Sequence, residues 1–339
     1  MAAKTKIRRQ ENPEEKKRYD RAGIPERDYL TQSYKTVRDF SFFLSAPLET
    51  EDFVIQSMPD VSPTKWHLAH TSWFFETFLL GPYLKGYREF DPRFAYLFNS
   101  YYEAVGARHP RPQRGLLSRP DVATVMAYRA HVEEAMARLL AAPPTEHIAA
   151  ILALTELGLA HEEQHQELLL MDIKHVFSVN PLLPAYAPEA AHGPSAGAGH
   201  AEPVAFPGGL YEIGHNGGGF AFDNEGPRHR VWLEPFALAS RPVTVGEYRA
   251  FMADGGYARP ELWLSDGWAE ARRREWTAPL YWAERDGAWW MVTLAGERHH
   301  PPGPVALGPV QRRRPLATSR LGPAVRQPEL GTLVAPVPH

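Results

Sequence analysis

Two histidines four residues apart stand at the ends of the stretch His161-Glu162-Glu163-Gln164-His165, which fits the H-E-x-x-H pattern of metal-binding helices. On a helix, positions i and i+4 lie one above the other, so both histidines face the same way and can bind one cation. The chain contains no cysteine, so any metal must be held by histidine and carboxylate groups. The pattern predicts a metal centre and leaves open whether the metal is zinc in a protease or a redox iron.

A third ligand is needed, because a catalytic metal usually has at least three protein ligands and an open position. The sequence KWHLAH offers His67 and His70 on a second predicted helix, and His70 would complete a three-histidine set. A lone buried histidine on an apolar helix face is more often a hydrogen-bonded core residue than a ligand. This plainer interpretation is favoured for His67 and for His175, each taken alone.

The protease hypothesis makes Glu162 the general base for a zinc-bound water. The extended metzincin pattern requires glycine and histidine where this chain has Leu168 and Met171. A version with a glutamate ligand needs an acidic residue on a later helix, and the sequence turns into a linker instead. The protease hypothesis is therefore disfavoured, and Glu163 and Glu167 are interpreted as a solvated helix face.

Four helices are predicted to position these residues. Apolar residues recur at spacings of three and four, and Pro and Gly mark the ends. The predicted helices run from Pro25 to about Leu44, from Pro63 (with Ser62 as N-cap) to about Leu80, from about Pro120 to Leu140, and from about Thr145 to Phe177. Helices of this length fit a four-helix bundle, whose core is a known place for metal sites. The Arg-, Pro- and Gly-rich segment 91–120 is predicted to be a long functional loop.

The sequence after the fourth helix changes character. Residues 180–209 are rich in Pro, Ala and Gly and predict an interdomain linker. Residues 210–298 have short apolar runs broken by Gly and Asn, one short helix from about Thr244 to Asp254, and seven of the nine tryptophans, which indicates an α+β domain. From His299 to the last residue there are nine Pro and no Phe, Trp or Tyr. This tail is predicted to be disordered or to come from a foreign reading frame.

The predicted organisation is therefore multidomain, α and then α+β. It comprises a charged N-terminal segment (1–24), a bundle with the histidine site (25–179), the linker (180–209), the α+β domain (210–298) and the tail (299–339).

A net charge of −3 argues against a nucleic-acid partner. The N-terminus lacks the apolar core of a signal peptide, and no apolar run approaches the roughly 20 residues that cross a bilayer. The sequence predicts a cytoplasmic protein without a membrane partner.

Several long motifs resemble one known family, the ergothioneine-biosynthesis sulfoxide synthases, or EgtB-type hercynine oxygenases. The similarity covers about residues 25 to 298 and rests on SPTKWHLAHTSWFFETFLL, YYEAVGARHPRPQRGLLSRP, HEEQHQELLLMDIKH, GHNGGGFAFDNEGPRHRVWLEPFALASRPVTVGEYRAFM and GYARPELWLSDGW. The resemblance implies a DinB-like four-helix bundle followed by a C-type-lectin-like domain of the kind found in sulfatase-modifying factors.

The resemblance also implies a chemistry for the histidines. In such enzymes a mononuclear non-haem iron(II), Fe(2+), is held by three histidines, which here are His70, His161 and His165. Imidazole ligands suit iron. Hercynine and a cysteine-type thiol bind there, and dioxygen drives formation of a carbon–sulfur bond together with oxidation of the sulfur to a sulfoxide. Gln164 matches the family position that contacts hercynine.

Arg108 and Arg111 resemble the family's pair that binds the carboxylates of the thiol substrate, and guanidinium suits bidentate carboxylate recognition. The plainer interpretation is an exposed basic loop. Family members use either γ-glutamylcysteine or free cysteine, and the form RHPRPQRGLLSRP looks closer to the cysteine branch.

The tail departs from the family. Related enzymes continue the lectin-like domain and supply a catalytic tyrosine there, which is not recognisable after His299, so the catalytic residue is unknown. We expect an incomplete lectin-like domain, from a truncation or a frameshift, and an inactive enzyme as its consequence. The alternatives are a non-catalytic metal-binding bundle with a degenerate lectin-like module and, less favoured, a zinc hydrolase acting through HEEQH. A formylglycine-generating activity conflicts with the absence of cysteine, because that chemistry needs thiolates.

Overall fold

A computed structural model describes residues 26–100, 106–187, 201–217 and 219–300 of the chain. The predictions for segment 1–24 and for the tail beyond His300 lie outside the described residues. The chain divides into two compact units. The first contains the described residues up to Ala46, Lys65–His109 and Ser118–Gln166, and the second contains Pro47–Thr64, Pro110–Leu117 and the described residues from Glu167 onward. None of the described helices is both long and apolar enough to span a bilayer.

Four long helices confirm the predicted helical half. They are α1 (Glu26–Ser45), α2 (Thr64–Phe75), α3 (Val122–Ala141) and α4 (Ile148–Ser178). Helix α3 begins where expected because the Asp121 carboxylate accepts a hydrogen bond from the Thr124 amide at 2.8 Å, which is an N-cap. A 3₁₀ turn over Thr145–His147 leads into α4, so the predicted start at Thr145 marks this turn and not the α-helix itself.

Helix α2 lies at the centre of the helical core. Its residues from Lys65 to Phe75 are all buried, whereas α1 buries one stripe that includes Leu30, Tyr34 and Leu44. A helix buried on every side is a core element, and an amphipathic one covers it from outside. The two histidines of KWHLAH therefore lie inside the helical core.

The end of α2 differs from the prediction. A π-helical turn over Glu76–Leu80 and a further α-helical turn over Gly81–Tyr83 extend it beyond Leu80. Pro82 lies inside this extension and does not end the helix. The Glu76 carboxylate in the π turn accepts hydrogen bonds from the hydroxyls of Tyr87 at 2.5 Å and Tyr128 at 2.6 Å.

The described part after α4 contains seven short antiparallel strands, two α-helices and three 3₁₀ turns, which confirms the predicted mixed region. Strand β1 (Pro203–Phe206) pairs with β4 (Phe236–Ala239), β2 (Gly209–Ile213) pairs with β3 (His229–Leu233), and β5 (Trp282–Arg285), β6 (Ala288–Thr293) and β7 (Gly296–His300) form a three-stranded sheet. The helices are α5 (Val245–Ala253) and α6 (Ser265–Arg273).

Three of these strands lie at least partly in stretches predicted to be linker or tail, β2 only by its first residue, Gly209. Strand β1 lies within the stretch predicted to be linker, and its Pro203 stands at the first strand position, where the missing amide is tolerated. Strand β7 continues through His299 to His300, two residues into the stretch predicted to be tail. The core of this region is a cluster of Val245, Tyr248 and Trp282 with partly buried neighbours.

Candidate metal centre

Three histidines from two helices converge in the first compact unit, which we call the helical unit. Ring nitrogens of His70 on α2 and of His161 and His165 on α4 all lie within 4.8 Å of one another. The Nε2 atoms of His70 and His161 are 3.1 Å apart. Helical periodicity explains the pair on α4, because residues four apart lie on one face, and the all-round burial of α2 brings the third histidine to that face. The structure thus brings together all three predicted ligands, whose role in binding metal stays a prediction.

His70 is the most constrained of the three. Its side chain is 1% exposed, and its Nδ1 lies 2.6 Å from the Phe98 carbonyl oxygen, which can only accept a hydrogen bond. Nδ1 therefore carries the proton, and Nε2 keeps the lone pair that a metal requires. The ring is stacked between the indoles of Trp66 and Trp73, with centroids 4.5 Å and 5.4 Å away. Both contacts hold the ring with Nε2 directed at His161.

His161 and His165 complete the arrangement. Burial lowers the pKa of His161 to about 4, so its imidazole is neutral at ordinary pH, which is the ligating form. Nδ1 of His161 is buried and has no hydrogen-bond partner in the described part of the chain. Nδ1 of His165 lies 2.9 Å from Nδ1 of His67, a fourth histidine next to the set.

The spacing of two of the donors fits a divalent transition metal. Two nitrogens bound at right angles to one ion, each at about 2.1 Å, are roughly 3 Å apart, which matches the 3.1 Å between His70 and His161. The three side chains offer only imidazole nitrogen, a donor type that suits iron, zinc and copper. Three protein ligands also leave coordination positions for other molecules.

Glu162 is not available as a general base. Its side chain is 1% exposed and forms ion pairs with Arg38 at 3.0 Å and Arg129 at 2.7 Å. Burial alone would raise the pKa of Glu162, but the two guanidinium charges outweigh it and lower the pKa to about 2. A carboxylate this acidic is a poor proton acceptor, so the structure argues against the protease hypothesis as the sequence did.

The structure describes all three predicted substrate-binding residues, Gln164, Arg108 and Arg111. Gln164 is exposed on α4 between the two histidines of HEEQH. Arg108 is exposed and donates to the Ser100 carbonyl at 2.7 Å, whereas the partly buried Arg111 donates to the Asp60 carbonyl. The two arginines belong to different compact units. Their pairing on a substrate carboxylate and the contact of Gln164 with hercynine stay predictions.

The plainer interpretations hold for several other residues. Glu163 and Glu167 are exposed, as expected for a solvated helix face. His175 is buried, and its Nδ1 lies 2.6 Å from the Ser57 hydroxyl, so it is a hydrogen-bonded core histidine. His67 is also buried, but its partner is His165. Sequence reasoning therefore missed that His67 touches the histidine set.

The buried arginines Arg38 and Arg129 were not predicted from the sequence. Arg38 and Arg129 occupy helix positions where periodicity places core residues: Arg38 continues the buried stripe of Leu30 and Tyr34 on α1. A charged residue at an apolar position of an amphipathic helix was the available signal. Their common partner, Glu162, could not be read from spacing within either helix.

Comparisons with known protein families match both halves of the chain. Residues 23–169 match the DinB superfamily, and residues 190–307 match the sulfatase-modifying factor enzyme 1-like domain. The three histidines lie within the first match. This order of domains is the one that the resemblance implied, and it confirms the predicted fold class.

Curated relatives were found in three mycobacterial species. A hercynine oxygenase of Mycolicibacterium smegmatis is 31% identical over 229 residues, covering 67% of this chain and 51% of the relative. The hercynine oxygenase of Mycobacterium tuberculosis is 32% identical over 228 residues, covering 66% and 50%, and that of Mycolicibacterium thermoresistibile is 31% identical over 238 residues, covering 66% and 48%. The chain spans about half the length of these relatives. It is similar to these hercynine oxygenases over about two thirds of its own length, with a DinB-like helical region followed by a sulfatase-modifying-factor-like region.

Proposed function

We propose that the chain is built as an iron(II)- and dioxygen-dependent sulfoxide synthase that joins a cysteine-type thiol to the imidazole ring of hercynine. The observation that carries the proposal is the set of three imidazoles within 4.8 Å on α2 and α4, in a chain whose relatives are named hercynine oxygenases. Hercynine, cysteine or γ-glutamylcysteine, and dioxygen are the proposed partners. A cytoplasmic location remains part of this proposal.

The proposed reaction balances without a further reductant. The thiol loses its S–H proton, the imidazole loses one ring C–H, and a C–S bond forms. One oxygen atom of dioxygen enters the sulfoxide, and the other leaves as water with the two hydrogens. The four electrons that dioxygen takes up come from bond formation and from oxidation of the sulfur. Iron, when bound, supplies the activation of dioxygen and the common point of attachment for both substrates.

The residues of the chain support this chemistry by holding neutral ligands in place. The hydrogen bond of His70 to Phe98 fixes its tautomer, and burial keeps His161 unprotonated. Gln164, one residue before His165, is proposed to contact hercynine. Arg108 and Arg111 are proposed to bind the thiol substrate's carboxylates, as guanidinium groups commonly do.

The test is a single-vessel assay on the full chain. The protein is loaded with iron(II) without air, mixed with hercynine and either cysteine or γ-glutamylcysteine, exposed to air and examined by mass spectrometry for the sulfoxide. Product with one thiol, lost in His161→Ala and His165→Ala but kept in His147→Ala, supports the proposal. His147 is a suitable control because it is exposed and precedes α4.

The same assay separates the alternatives. Bound iron without product from either thiol would favour a non-catalytic metal-binding bundle. Iron binding that survives both His161→Ala and His165→Ala would contradict the three-histidine centre itself.

A further inference from the structure

A buried network of charged and polar side chains lies beside the histidine set in the helical unit. Glu162 on α4 accepts hydrogen bonds from the Ser41 hydroxyl at 2.6 Å, from Arg38 Nη1 at 3.0 Å and from Arg129 Nη2 at 2.7 Å. The side chains of Glu162 and Arg38 are 1% exposed and that of Arg129 is 4% exposed. A carboxylate is thus surrounded by donors from α1 and α3 in a region without bulk water.

Arg38 also reaches the third neighbouring helix, α2. Its Nη2 donates to the Ser72 hydroxyl at 2.9 Å, and its Nη1 lies 3.5 Å from the Thr71 hydroxyl. Nη1 of Arg129 lies 3.4 Å from the same Thr71 hydroxyl. Thr71 and Ser72 directly follow His70 in the chain. The four helices are therefore joined through one pair of guanidinium groups.

The network contacts both helices that carry the histidines at positions adjacent to them. Thr71 follows His70, Glu162 follows His161, and Arg38 bonds to both. Consecutive residues on an α-helix point about 100° apart. Fixing the direction of one side chain therefore fixes the rotation of the helix about its axis, and with it the direction of the neighbouring histidine.

Apolar packing alone does not set this rotation closely, because apolar contacts have no direction. A buried carboxylate or guanidinium group does set it, because losing a partner costs the full desolvation of a charged group. Buried ion pairs contribute little net stability compared with apolar residues of similar size. Their presence beside two histidines is thus better explained by geometry than by stability.

We propose that Arg38, Arg129 and Glu162, with the hydroxyls of Thr71 and Ser72, form a positioning network that sets the rotation of α2 and α4, so that Nε2 of His70 and of His161 converge on one ion. This inference rests on the proposed function, since it requires the histidines to hold a metal. None of these five residues is itself a ligand, and they act only through the histidines next to them.

The helical unit also contains a matched control. Glu76 is a second buried carboxylate, 6% exposed, which accepts from Tyr87, Tyr128 and the Phe90 amide. It lies six residues beyond His70, and these three partners are not adjacent in the chain to a histidine of the set. Glu76→Gln and Glu162→Gln are therefore the same chemical change in two networks, only one of which touches the residues beside the ligands.

The experiment measures cobalt(II) binding by the full chain, using the visible absorption of the bound ion, and thermal unfolding of the metal-free protein. We expect Glu162→Gln to weaken cobalt binding 10- to 100-fold, about the range seen when partners of metal ligands are removed, and to change the cobalt absorption bands. Glu76→Gln should lower the unfolding temperature while cobalt affinity stays within about twofold and the bands are unchanged.

A milder pair of variants decides the question if Glu162→Gln does not fold. Ser72→Ala removes only the bond from Arg38 to α2, and we expect it to weaken cobalt binding several-fold. Thr155→Val is its control, because the buried Thr155 hydroxyl donates to the Ile151 carbonyl within α4 itself. Thr155→Val should leave both affinity and absorption bands unchanged.

The outcomes separate the inference from the proposed function. If the unmodified chain binds no cobalt, or if His161→Ala binds it equally well, the metal centre is wrong and the positioning network falls with it. If the unmodified chain binds cobalt through the histidines and the folded network variants match their controls, the metal centre stands and the positioning network is overturned. Weaker binding with altered bands, confined to Glu162→Gln and Ser72→Ala, supports it.

Discussion

The helical unit and the strand-bearing region place their charged side chains differently. In the helical unit, Arg38 and Glu162 pair with side-chain exposures of 1% each. Among the described strands, Arg285 and Glu297 pair across the sheet of β5 to β7 with exposures of 48% and 19%. A buried pair has a single satisfactory arrangement, whereas solvent can replace either partner of an exposed pair. The buried ion pair of the helical unit therefore restricts how its helices can pack. The more exposed pair of the strand-bearing region adds little to stability.

Apolar side chains show the same difference. The largest fully buried side chains, which include Trp73, Phe74 and Tyr128, all lie in the helical part. Strands β2 and β3 expose large apolar groups, with Leu210 at 61% and Trp232 at 64%. Residues of the helical unit are therefore tightly constrained by their neighbours. Substitutions in the two regions should change the free energy of unfolding by different amounts and in some cases in opposite directions.

The largest effect is expected for Arg38→Met. It leaves the buried Glu162 carboxylate without one of its two cationic partners, and breaking a buried pair in this way costs about 3–5 kcal/mol. Urea unfolding followed by the helical circular dichroism signal measures the change. Arg27→Met is the control on the same helix, because Arg27 pairs with Asp28 at the surface. A loss of less than about 1 kcal/mol for Arg38→Met would contradict the role given to burial.

The next largest effect concerns two glycines whose replacement by alanine is expected to change stability in opposite directions. A Cβ at Gly158 on α4 would lie 2.6 Å from a ring carbon of Phe75 and 2.9 Å from one of Phe74. Alanine there is expected to destabilise by about 1–3 kcal/mol through overpacking, despite its higher helix propensity. A Cβ at Gly267 on α6 meets only Trp263, at 3.5 Å.

Gly267→Ala is therefore expected to stabilise by about 0.5–1 kcal/mol, the usual difference between the two residues in a helix. Thermal unfolding of both variants is the measurement. Stabilisation by Gly158→Ala would show that α2 and α4 do not approach as closely as the structure has them.

A smaller effect concerns the start of α5. Hydrogen bonds from Arg241 and from the Thr244 amide lower the pKa of Glu247 from its ordinary 4.5 to about 2. A carboxylate with a lowered pKa in the folded state stabilises it above pH 4.5, and this contribution is lost as the pH falls from 4.5 towards 2. Because the side chain is 44% exposed, the effect should be only about 1 kcal/mol.

Glu247→Gln tests this contribution through unfolding measured between pH 6 and 2.5. The substitution is expected to cost about 1 kcal/mol near pH 6 and almost nothing near pH 2.5. An equal cost at both pH values would show that the ionised carboxylate is not what caps the helix.

The smallest effect is expected for Arg285→Ala, which removes the cross-strand pair with Glu297. A pair whose arginine lies in solvent contributes little to stability, and the contribution declines as salt increases. Unfolding at low and high salt measures it. A salt-independent loss as large as that of Arg38→Met would mean that this pair behaves like the buried one, and the contrast between the regions would fail.

The sequence predicted the helices well because their information is local. Proline and glycine mark the ends, and apolar spacing marks the faces, so the described helix ends lie within a few residues of those predicted. The extension past Leu80 was missed because a π turn depends on contacts such as Tyr128 to Glu76, 52 residues apart. Strand β1 was missed because a four-residue strand in a Pro-rich stretch has almost no periodic signal.

The candidate site was predictable only where the helical repeat acts. His161 and His165 followed from their spacing, and His70 was proposed from KWHLAH on the second predicted helix, in agreement with the resemblance. The contact of His67 with His165 spans 98 residues, and the pairing of Arg38 with Glu162 spans 124. No repeat within one helix encodes such partners, because they depend on how the helices pack against one another.

The two indoles that enclose His70 have an optical consequence. Trp66 and Trp73 are buried and stack on this imidazole at 4.5 Å and 5.4 Å. A paramagnetic ion bound to Nε2 of His70 would quench the fluorescence of these two indoles, whereas zinc, with a filled d shell, would leave it almost unchanged. The fluorescence that Trp66 and Trp73 contribute should therefore decrease when iron(II) or cobalt(II) is added and stay nearly constant with zinc(II). Metal binding at the centre could then be followed by intrinsic tryptophan fluorescence.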